Sequence, residues 1–149
     1  MAHLDQLLHN RIIVSTFAAW VIAQGAKMFL FFRQNRRFDV RWVTETGGMP
    51  SAHSAGVAAL AMSVGLTEGV GTTEFGIELV FALVTMFDAQ GVRRAAGRQA
   101  VALNKIIEEL YAQGEVSNQR VRELLGHTPV EVFVGGAMGA LVAWTVCRW

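Results

Sequence analysis

Two histidines stand beside prolines that introduce apolar stretches of the sequence. His53 follows Pro50 and Ser51, and His127 precedes Pro129. Proline is favoured at the first position of a helix and serine at its cap, so both segments predict a helix N-terminus. Such a terminus presents backbone N–H groups and the positive end of the helix dipole, which together bind anions. Because imidazole transfers protons near neutral pH, the pair predicts chemistry on a bound phosphate.

The first of these segments places His53 in the first turn of its helix. There the imidazole can donate a proton to an oxygen that leaves a bound phosphate, and Ser51 is a candidate phosphate ligand at the same helix start. The alternative is a capping serine followed by a buried histidine whose hydrogen bond is satisfied within the fold. The spacing alone does not decide between these two interpretations.

The second segment places His127 four residues before Glu131. Residues four apart share one face of a helix, so the carboxylate can accept a hydrogen bond from one ring nitrogen of the histidine. That bond would fix the tautomer and make the other ring nitrogen the better nucleophile. The alternative is an ordinary helix-start pair at a wet surface, and the repetition of the design at His53 counts against it.

Basic side chains supply candidate ligands for the phosphate. Arg93 and Arg94 follow the third apolar stretch, in the segment that begins at Asp88, and arginine grips phosphate oxygens in bidentate fashion. Paired arginines at a membrane surface also contact lipid headgroups, which is the alternative for both residues. Lys27, within the first apolar stretch, is a further phosphate-binding candidate, and its alternative is to extend towards the membrane interface.

The elements that must position these residues are apolar. Apolar residues make up 52% of the chain and charged residues only 17%, whereas about 25% is usual for charged residues in soluble domains. Four apolar stretches cover residues 12–32, 52–66, 77–87 and 130–147. The first has the roughly 20 residues that are needed to cross a bilayer. The second is rich in small residues, which favours a central helix. The sequence therefore predicts one all-α domain over residues 1–149, a polytopic membrane helical bundle of about four spans.

A soluble helical bundle is the rival fold, because the shorter apolar stretches are also typical of buried helices in soluble proteins. The loop charges favour the membrane. Arginines follow the first and third stretches, whereas Glu68 and Glu74 lie between the second and third. This alternation is what the positive-inside rule requires of four spans. It predicts a multi-pass protein of the cell (inner) membrane whose basic loops and two histidines face the cytoplasm.

Other features complete the sequence-based prediction. Residues 99–125 have an amphipathic pattern, which predicts a cytoplasmic helical hairpin broken near Gly114. A net charge of +1 provides no field to attract nucleic acid. The single cysteine, Cys147, has no partner for an intramolecular disulfide. Small residues at Gly135, Gly136 and Gly139 predict tight helix packing and would permit a homodimer.

These motifs resemble those of the type 2 phosphatidic acid phosphatase superfamily, which includes vanadium-dependent haloperoxidases, and above all its divergent branch of haloperoxidase-related proteins. The run from Pro50 to Ser54 resembles the Pro-Ser-Gly-His motif, with Ala52 in the glycine's place, and His127 to Glu131 resembles the His-x-x-x-Asp segment. The resemblance implies that His127 is a nucleophile that forms a phosphohistidine. It also implies that His53 is the acid and then the base, and that Glu131 orients the nucleophile.

The sequence departs from the superfamily at its basic motifs. Where the superfamily has an arginine shortly before the nucleophilic histidine, this chain has Val121, flanked by Arg120 and Arg122. Either Arg93 or Arg94 supplies the arginine across the hairpin, or Arg120 or Arg122 does. The superfamily's lysine and arginine-proline motif is reduced to Lys27 and Arg33, with no proline after them. Asp88 is an additional candidate for the site.

The predicted function is hydrolysis of a phosphomonoester or pyrophosphate on a phospholipid or isoprenoid phosphate, without a metal or cofactor. Vanadate is expected to act as an inhibitor that mimics phosphate. The alternative is a membrane protein that binds phosphate or phospholipid headgroups without turnover, and the degraded basic motifs favour it. Haloperoxidase activity is a third and weaker hypothesis, because a membrane-buried pocket is a poor place for peroxide and halide.

Overall fold

The computed structural model describes residues 2–36, 48–112 and 126–148. Over these residues the chain is helical and contains no strand, which confirms the all-α prediction. The described elements, in chain order, are α1 (Ala2–His9), α2 (Arg11–Asn35), α3 (Ala52–Thr67), α4 (Thr73–Gln90), α5 (Val92–Ala112) and α6 (Pro129–Arg148).

Short polar side chains cap the helices of the bundle. The Asn10 side chain accepts hydrogen bonds from the N–H groups of Ile12 and Ile13 at the start of α2. Ser51 caps α3 by accepting from Ser54 N–H, and Thr72 caps α4 by accepting from Phe75 N–H. Each cap satisfies a backbone donor that has no partner within its own helix. The local sequence therefore sets where the apolar helices begin.

The predicted apolar stretches correspond to α2, α3, α4 and α6, with ends that differ by a few residues. Pro50 lies two residues before the first residue of α3, whereas Pro129 is the first residue of α6, as predicted. Two helical segments exceed the prediction: α1 was not expected, and α5 begins at Val92, well before residue 99. The second helix of the predicted hairpin, near residues 117–125, lies outside the described residues.

The amphipathic helix α5 exposes its large apolar side chains. Leu103 is 48% and Ile106 52% exposed, whereas Ala100 and Asn104 are buried on the other face. An amphipathic helix of a soluble protein packs its apolar face against the core. A helix that lies along a membrane surface turns such a face towards lipid instead, and this position stays a prediction for α5.

Helix α3 is central, as its small residues predicted, because it packs against α2, α4 and α6. It runs parallel to α6: Ser51 lies beside Gly135, and Ala59 packs against Ala143. It runs antiparallel to α2, because Ala19 joins the cluster of Ala59, whereas Ala23, later in α2, packs against the start of α3. The starts of α3 and α6 therefore lie at one end of the bundle, which we call the site end.

The interior of the bundle is built from small residues. Ala19, Ala23, Ala55, Ala59 and Ala143 are fully buried. On the outside, by contrast, Phe17, Val80, Phe87 and Phe133 are each more than half exposed. A soluble protein buries its large apolar side chains, whereas lipid is as apolar as they are and small residues allow close packing between helices.

The lengths of the helices also indicate a membrane protein, in agreement with the small buried residues and the large exposed ones. Three of the described segments are long and apolar enough to cross a membrane: 11–34, 73–112, which contains α4 and α5, and 129–148. At 16 residues, α3 is shorter and spans about 24 Å, and its neighbours surround it. The chain is thus a multi-pass helical membrane protein, and the soluble bundle is excluded.

Candidate functional site

The two predicted helix starts meet through backbone hydrogen bonds at the site end. Ser51 N–H, at the cap of α3, donates to the carbonyl oxygen of Glu131 in the first turn of α6, with an N···O distance of 3.1 Å. His127 N–H donates to the carbonyl oxygen of Ala89, near the end of α4, also at 3.1 Å. The start of α6 is therefore joined to α3 on one side and to α4 on the other.

Glycine allows α6 to approach α3 this closely. A Cβ atom on Gly135 would overlap the carbonyl oxygen of Ser51, and one on Gly139 would overlap the carbonyl oxygen of Ala55. The predicted tight packing is confirmed, and its partner is α3 of the same chain. Gly135 and Gly139 therefore contact α3 and are not available to pack against a second copy of the chain. The homodimer stays a prediction, and these two glycines do not support it.

The start of α6 holds His127 in a reciprocal capping arrangement. Glu131 Oε2 accepts Thr128 N–H at 3.0 Å, and Glu131 N–H donates to Thr128 Oγ1 at 3.3 Å. The same Oε2 atom lies 3.1 Å from His127 Nδ1. Thr128 and Glu131 therefore form a capping box. The Glu131 carboxylate oxygen of this box contacts both the Thr128 backbone N–H and the His127 imidazole.

The Glu131 contact assigns the tautomer of His127. Oε2 already accepts one hydrogen bond, and a carboxylate oxygen beside a ring nitrogen requires an N–H donor there. The proton is therefore assigned to Nδ1, which leaves a lone pair on Nε2. His127 is only 3% exposed. The predicted orienting contact from Glu131 is present, and the imidazole it holds is shielded from solvent.

The start of α3 is held by a pair of buried serines. Ser51 Oγ accepts Ser54 N–H at 3.3 Å and the Ser54 hydroxyl at 2.9 Å, and both serines are fully buried. Sequence reasoning found the cap but missed Ser54, although serine three residues after a capping serine is a readable signal. The phosphate-binding role of Ser51 stays a prediction.

His53 is exposed and lies on a different face of α3 from the one that contacts α6. It stands two residues before Ala55, which Gly139 approaches, and two residues along a helix correspond to a rotation of about 200°. The predicted alternative of a buried histidine is wrong. The structure brings the two helix starts together but turns His53 towards other helices, so its action on a ligand of His127 stays a prediction.

A groove of about 400 Å³ opens on the His53 face of α3. It lies between α2 and α4, and His53 stands where α3 begins. The groove is lined by His53 and by further residues of α2, α3 and α4, among them Phe17, Trp20, Gly56, Leu60 and Phe81.

Lys27 is buried beside the segment that leads into α3. Its side chain is 6% exposed, and a Cβ atom on Gly48 would lie 3.4 Å from Lys27 Cδ. Gly48 has a φ of 83°, a left-handed conformation that suits glycine. The structure thus places Lys27 beside a residue three positions before Ser51. Gln24 lies one turn earlier in α2 and is 8% exposed. It was not identified from the sequence, although a polar residue in an apolar span indicates a functional or packing role.

The arginine candidates are only partly placed. Arg93 and Arg94 lie in the first turn of α5, soon after Ala89, but their side chains are outside the described part of the structure. Arg120 and Arg122 lie outside the described residues altogether. Asp88 is half-buried next to Ala89, whose carbonyl binds His127 N–H. The segment from Asp88 onwards therefore reaches His127 through its backbone, and the phosphate grip stays a prediction.

No group of three His, Cys, Asp or Glu residues that could hold a metal ion occurs among the described residues. Metal-independent chemistry stays a prediction.

The fold and the site define a multi-pass helical membrane protein in which a buried histidine contacts a half-buried glutamate where two helix starts meet. The chain belongs to the divergent PAP2 family, whose family model matches residues 8–142. It is also similar to the protein named "Uncharacterized membrane protein YuiD" from Bacillus subtilis (strain 168), with 41% identity over 148 residues that cover 92% of this chain and 94% of that protein. No solved structure matches the chain. The resemblance to a divergent branch of the phosphatase superfamily is thereby confirmed.

Proposed function

We propose that this protein is a membrane lipid phosphatase that hydrolyses a phosphomonoester or pyrophosphate through a phosphohistidine at His127. The observation that carries the proposal is the contact of 3.1 Å between His127 Nδ1 and Glu131 Oε2. It leaves Nε2 as the nucleophilic atom and places a carboxylate where the ring gains positive charge. Membership of the divergent PAP2 family supports the same chemistry.

In the first step, the lone pair of His127 Nε2 attacks the phosphorus atom, and the bond from phosphorus to the leaving oxygen breaks. The ring becomes cationic, and Glu131 stabilises it through the Nδ1 proton. The leaving oxygen takes a proton from the acid, the role that the family resemblance gives to His53. In the second step, water loses a proton to that group and attacks phosphorus, and the P–N bond returns its electron pair to Nε2.

Backbone groups at the site end favour a phosphate. Helix α3 begins at Ala52, directly after the Ser51 cap, and the N–H groups of a first helical turn point towards the helix start. The positive end of the α3 dipole points the same way. Lys27 lies beside the chain segment that enters this helix. We propose that the site end faces the cytoplasm, as the loop charges predict, and that the membrane is the inner membrane of the cell.

Phosphate release from purified protein in lipid vesicles tests the proposal. The probes are phosphatidic acid, an isoprenyl diphosphate and a soluble phosphomonoester. His127→Ala should abolish release. Glu131→Gln should lower kcat by at least about 10²-fold, because the ring loses the carboxylate that fixes its tautomer and stabilises its positive charge. The matched control is His9→Ala, a histidine on the exposed end of α1. Equal release by His127→Ala and the parent would contradict the mechanism.

Labelling with radioactive phosphate from the lipid substrate supplies a second readout. A phosphohistidine should accumulate on His127 after rapid quenching, stable in base and labile in acid. His53→Ala removes the acid of the first step and the base of the second, so turnover should fall while label still forms on His127. Label that persists in His127→Ala would place the intermediate elsewhere.

The burial of His127 favours a second candidate function, the binding of a phosphate or phospholipid headgroup without turnover. A nucleophile that is 3% exposed needs a path for its substrate, whereas a structural His–Glu pair does not. Calorimetric titration with vanadate separates the two candidates. Tight vanadate binding that His127→Ala removes supports the phosphatase, because vanadate mimics the trigonal-bipyramidal transition state. Headgroup binding without any preference for vanadate supports the second candidate.

A further inference from the structure

We infer that the groove on the His53 face of α3 holds one hydrocarbon chain of the lipid whose phosphate is the substrate. The inference rests on the proposed function and assigns it a chain-binding surface. The groove runs along α3 from His53 to Leu60, a length of about 10 Å at the helical rise per residue. Its volume of about 400 Å³ falls within the usual range for ligand pockets.

The walls of the groove are apolar apart from His53 at one end. Phe17, Trp20 and Phe81 contribute rings from α2 and α4. Thr16 also lines the groove, but its hydroxyl donates to the carbonyl oxygen of Ile12 at 2.7 Å, so its polar group is satisfied within α2. The remaining surface offers a ligand little hydrogen bonding. A chain of methylene groups fits these walls, whereas a polar ligand would lose its bonds to water.

The position of the groove in the membrane points to a lipid as the occupant. Phe17, Trp20 and Phe81 are each at least 40% exposed on helices that are apolar enough to cross the bilayer. The groove therefore opens sideways, where hydrocarbon surrounds the protein, and a chain can enter without passing through water. At its other end it reaches the start of α3, where the phosphate is proposed to bind. A ligand that matches both ends has a hydrocarbon chain and an anionic head.

Gly56 keeps the groove open. It lies in α3, one turn from His53, and a Cβ atom built on it would meet nothing within 4 Å. Glycine inside a helix is unfavourable relative to alanine, and here no neighbouring backbone requires it. This differs from Gly139, whose absent Cβ leaves room for the Ala55 carbonyl. The empty space beside Gly56 is therefore a property of the groove.

The test compares the variants G56L and G25L. Gly25 lies in α2, is exposed, has no atom within 4 Å of a built Cβ and does not line the groove. Both changes add the same side chain to an apolar helix, but only the side chain added by G56L would fill the groove. Binding is measured in the His127→Ala background, which prevents hydrolysis of the probe.

The binding readout is quenching of Trp20 fluorescence by hexadecyl phosphate carrying bromine atoms on its chain, in phosphatidylcholine vesicles. Subtraction of the signal from Trp20→Phe assigns the quenching to this tryptophan. We expect quenching that saturates with probe concentration. The apparent affinity for the probe should fall at least about tenfold in G56L because of steric overlap, and it should be unchanged in G25L. Equal effects of G56L and G25L would overturn the inference. The inference would also be overturned if brominated phosphatidylcholine quenched Trp20 as strongly as brominated hexadecyl phosphate does at the same mole fraction.

The activity readout separates this inference from the proposed function. In the parent background, G56L should lower kcat/KM for hexadecyl phosphate at least about tenfold and leave that for butyl phosphate unchanged. An equal loss for both phosphates would contradict a chain-binding groove. If the parent releases phosphate from no probe, the proposed function fails, and the quenching experiment still decides whether the groove binds the chain.

Discussion

The two faces of α3 are built from similar small residues but serve different purposes. On the face towards α6, Ala55 meets Gly139 so closely that the backbones touch. On the opposite face, Gly56 borders open space between α2 and α4. Glycine therefore has opposite effects on the two faces. Gly139 of α6 allows close packing on the first, which we call the closed face, and Gly56 of α3 leaves space on the second, which we call the open face. The difference shows that a small residue in a membrane helix acquires its role from the helix it faces, and composition alone does not reveal that role.

The two histidines follow the same division. His127 lies at the start of α6, the helix that packs on the closed face, and is buried and hydrogen-bonded to Glu131. His53 lies at the open face and lines the groove. In the proposed mechanism, the fixed imidazole is the nucleophile, which requires one tautomer and one orientation. The exposed imidazole exchanges protons with the leaving group and with water, which requires access. The asymmetry of the faces is thus consistent with the proposed division of roles.

The largest expected effect comes from adding one methyl group to the closed face. Gly139→Ala would place a Cβ atom against the Ala55 carbonyl oxygen, and a backbone carbonyl cannot move aside as a flexible side chain can. We expect the free energy of unfolding to fall by at least about 3 kcal/mol. Titration with sodium dodecyl sulfate in mixed micelles, followed by circular dichroism, measures the change.

Gly25→Ala is the control for this change, because it makes the same substitution at an exposed position of α2 with no atom near the new Cβ. It should leave the stability unchanged or slightly increased. Comparable losses in the two variants would mean that α3 and α6 are held together in some other way.

Local features of the sequence predicted the closed face well. The Ser51 cap, the start of α6 at Pro129 and the contact between His127 and Glu131 each depend on residues one to four positions apart. Such distances are set by the geometry of a single helix. The tight packing of Gly139 was also readable, but its partner was not, because a small residue does not specify which helix will meet it.

The open face could not be predicted from the sequence in the same way. The direction of His53 depends on which side of α3 packs against α6, and alanine, glycine and serine occur on every side of this helix. Large and small apolar residues are equally compatible with a membrane span, so the pattern gave no sign of the groove. Gln24 was missed because its burial results from the packing of α2 against the rest of the bundle.

An intermediate effect is expected at the cap where the two faces meet. Ser51→Ala removes the acceptor of both Ser54 N–H and the Ser54 hydroxyl in a fully buried setting. Loss of the cap costs about 1 kcal/mol, and an unsatisfied buried hydroxyl adds about 1 kcal/mol or more. The unfolding titration should therefore show a loss of about 2 kcal/mol.

Thr72→Ala, at the cap of α4, is the matched control for Ser51→Ala. Thr72 accepts Phe75 N–H as Ser51 accepts Ser54 N–H, but it is only half-buried. The Thr72 hydroxyl also donates to the carbonyl oxygen of Gly69 at 2.8 Å, but water can replace that hydrogen bond at a half-buried position. The loss should therefore cost about 1 kcal/mol, close to that of the cap. If Ser51→Ala costs no more than Thr72→Ala, the buried serine pair does not stabilise the start of α3 beyond ordinary capping.

The smallest effect is expected at the open face, and its sign should be opposite. Gly56→Ala adds the same methyl group as Gly139→Ala, but the new Cβ would meet nothing within 4 Å. Alanine is favoured over glycine inside a helix by about 0.5–1 kcal/mol, so the variant should be more stable than the parent by that amount. The same unfolding titration measures it. A loss of stability would show that the wall of the groove is packed in the folded protein, and that α3 has two closed faces instead of one.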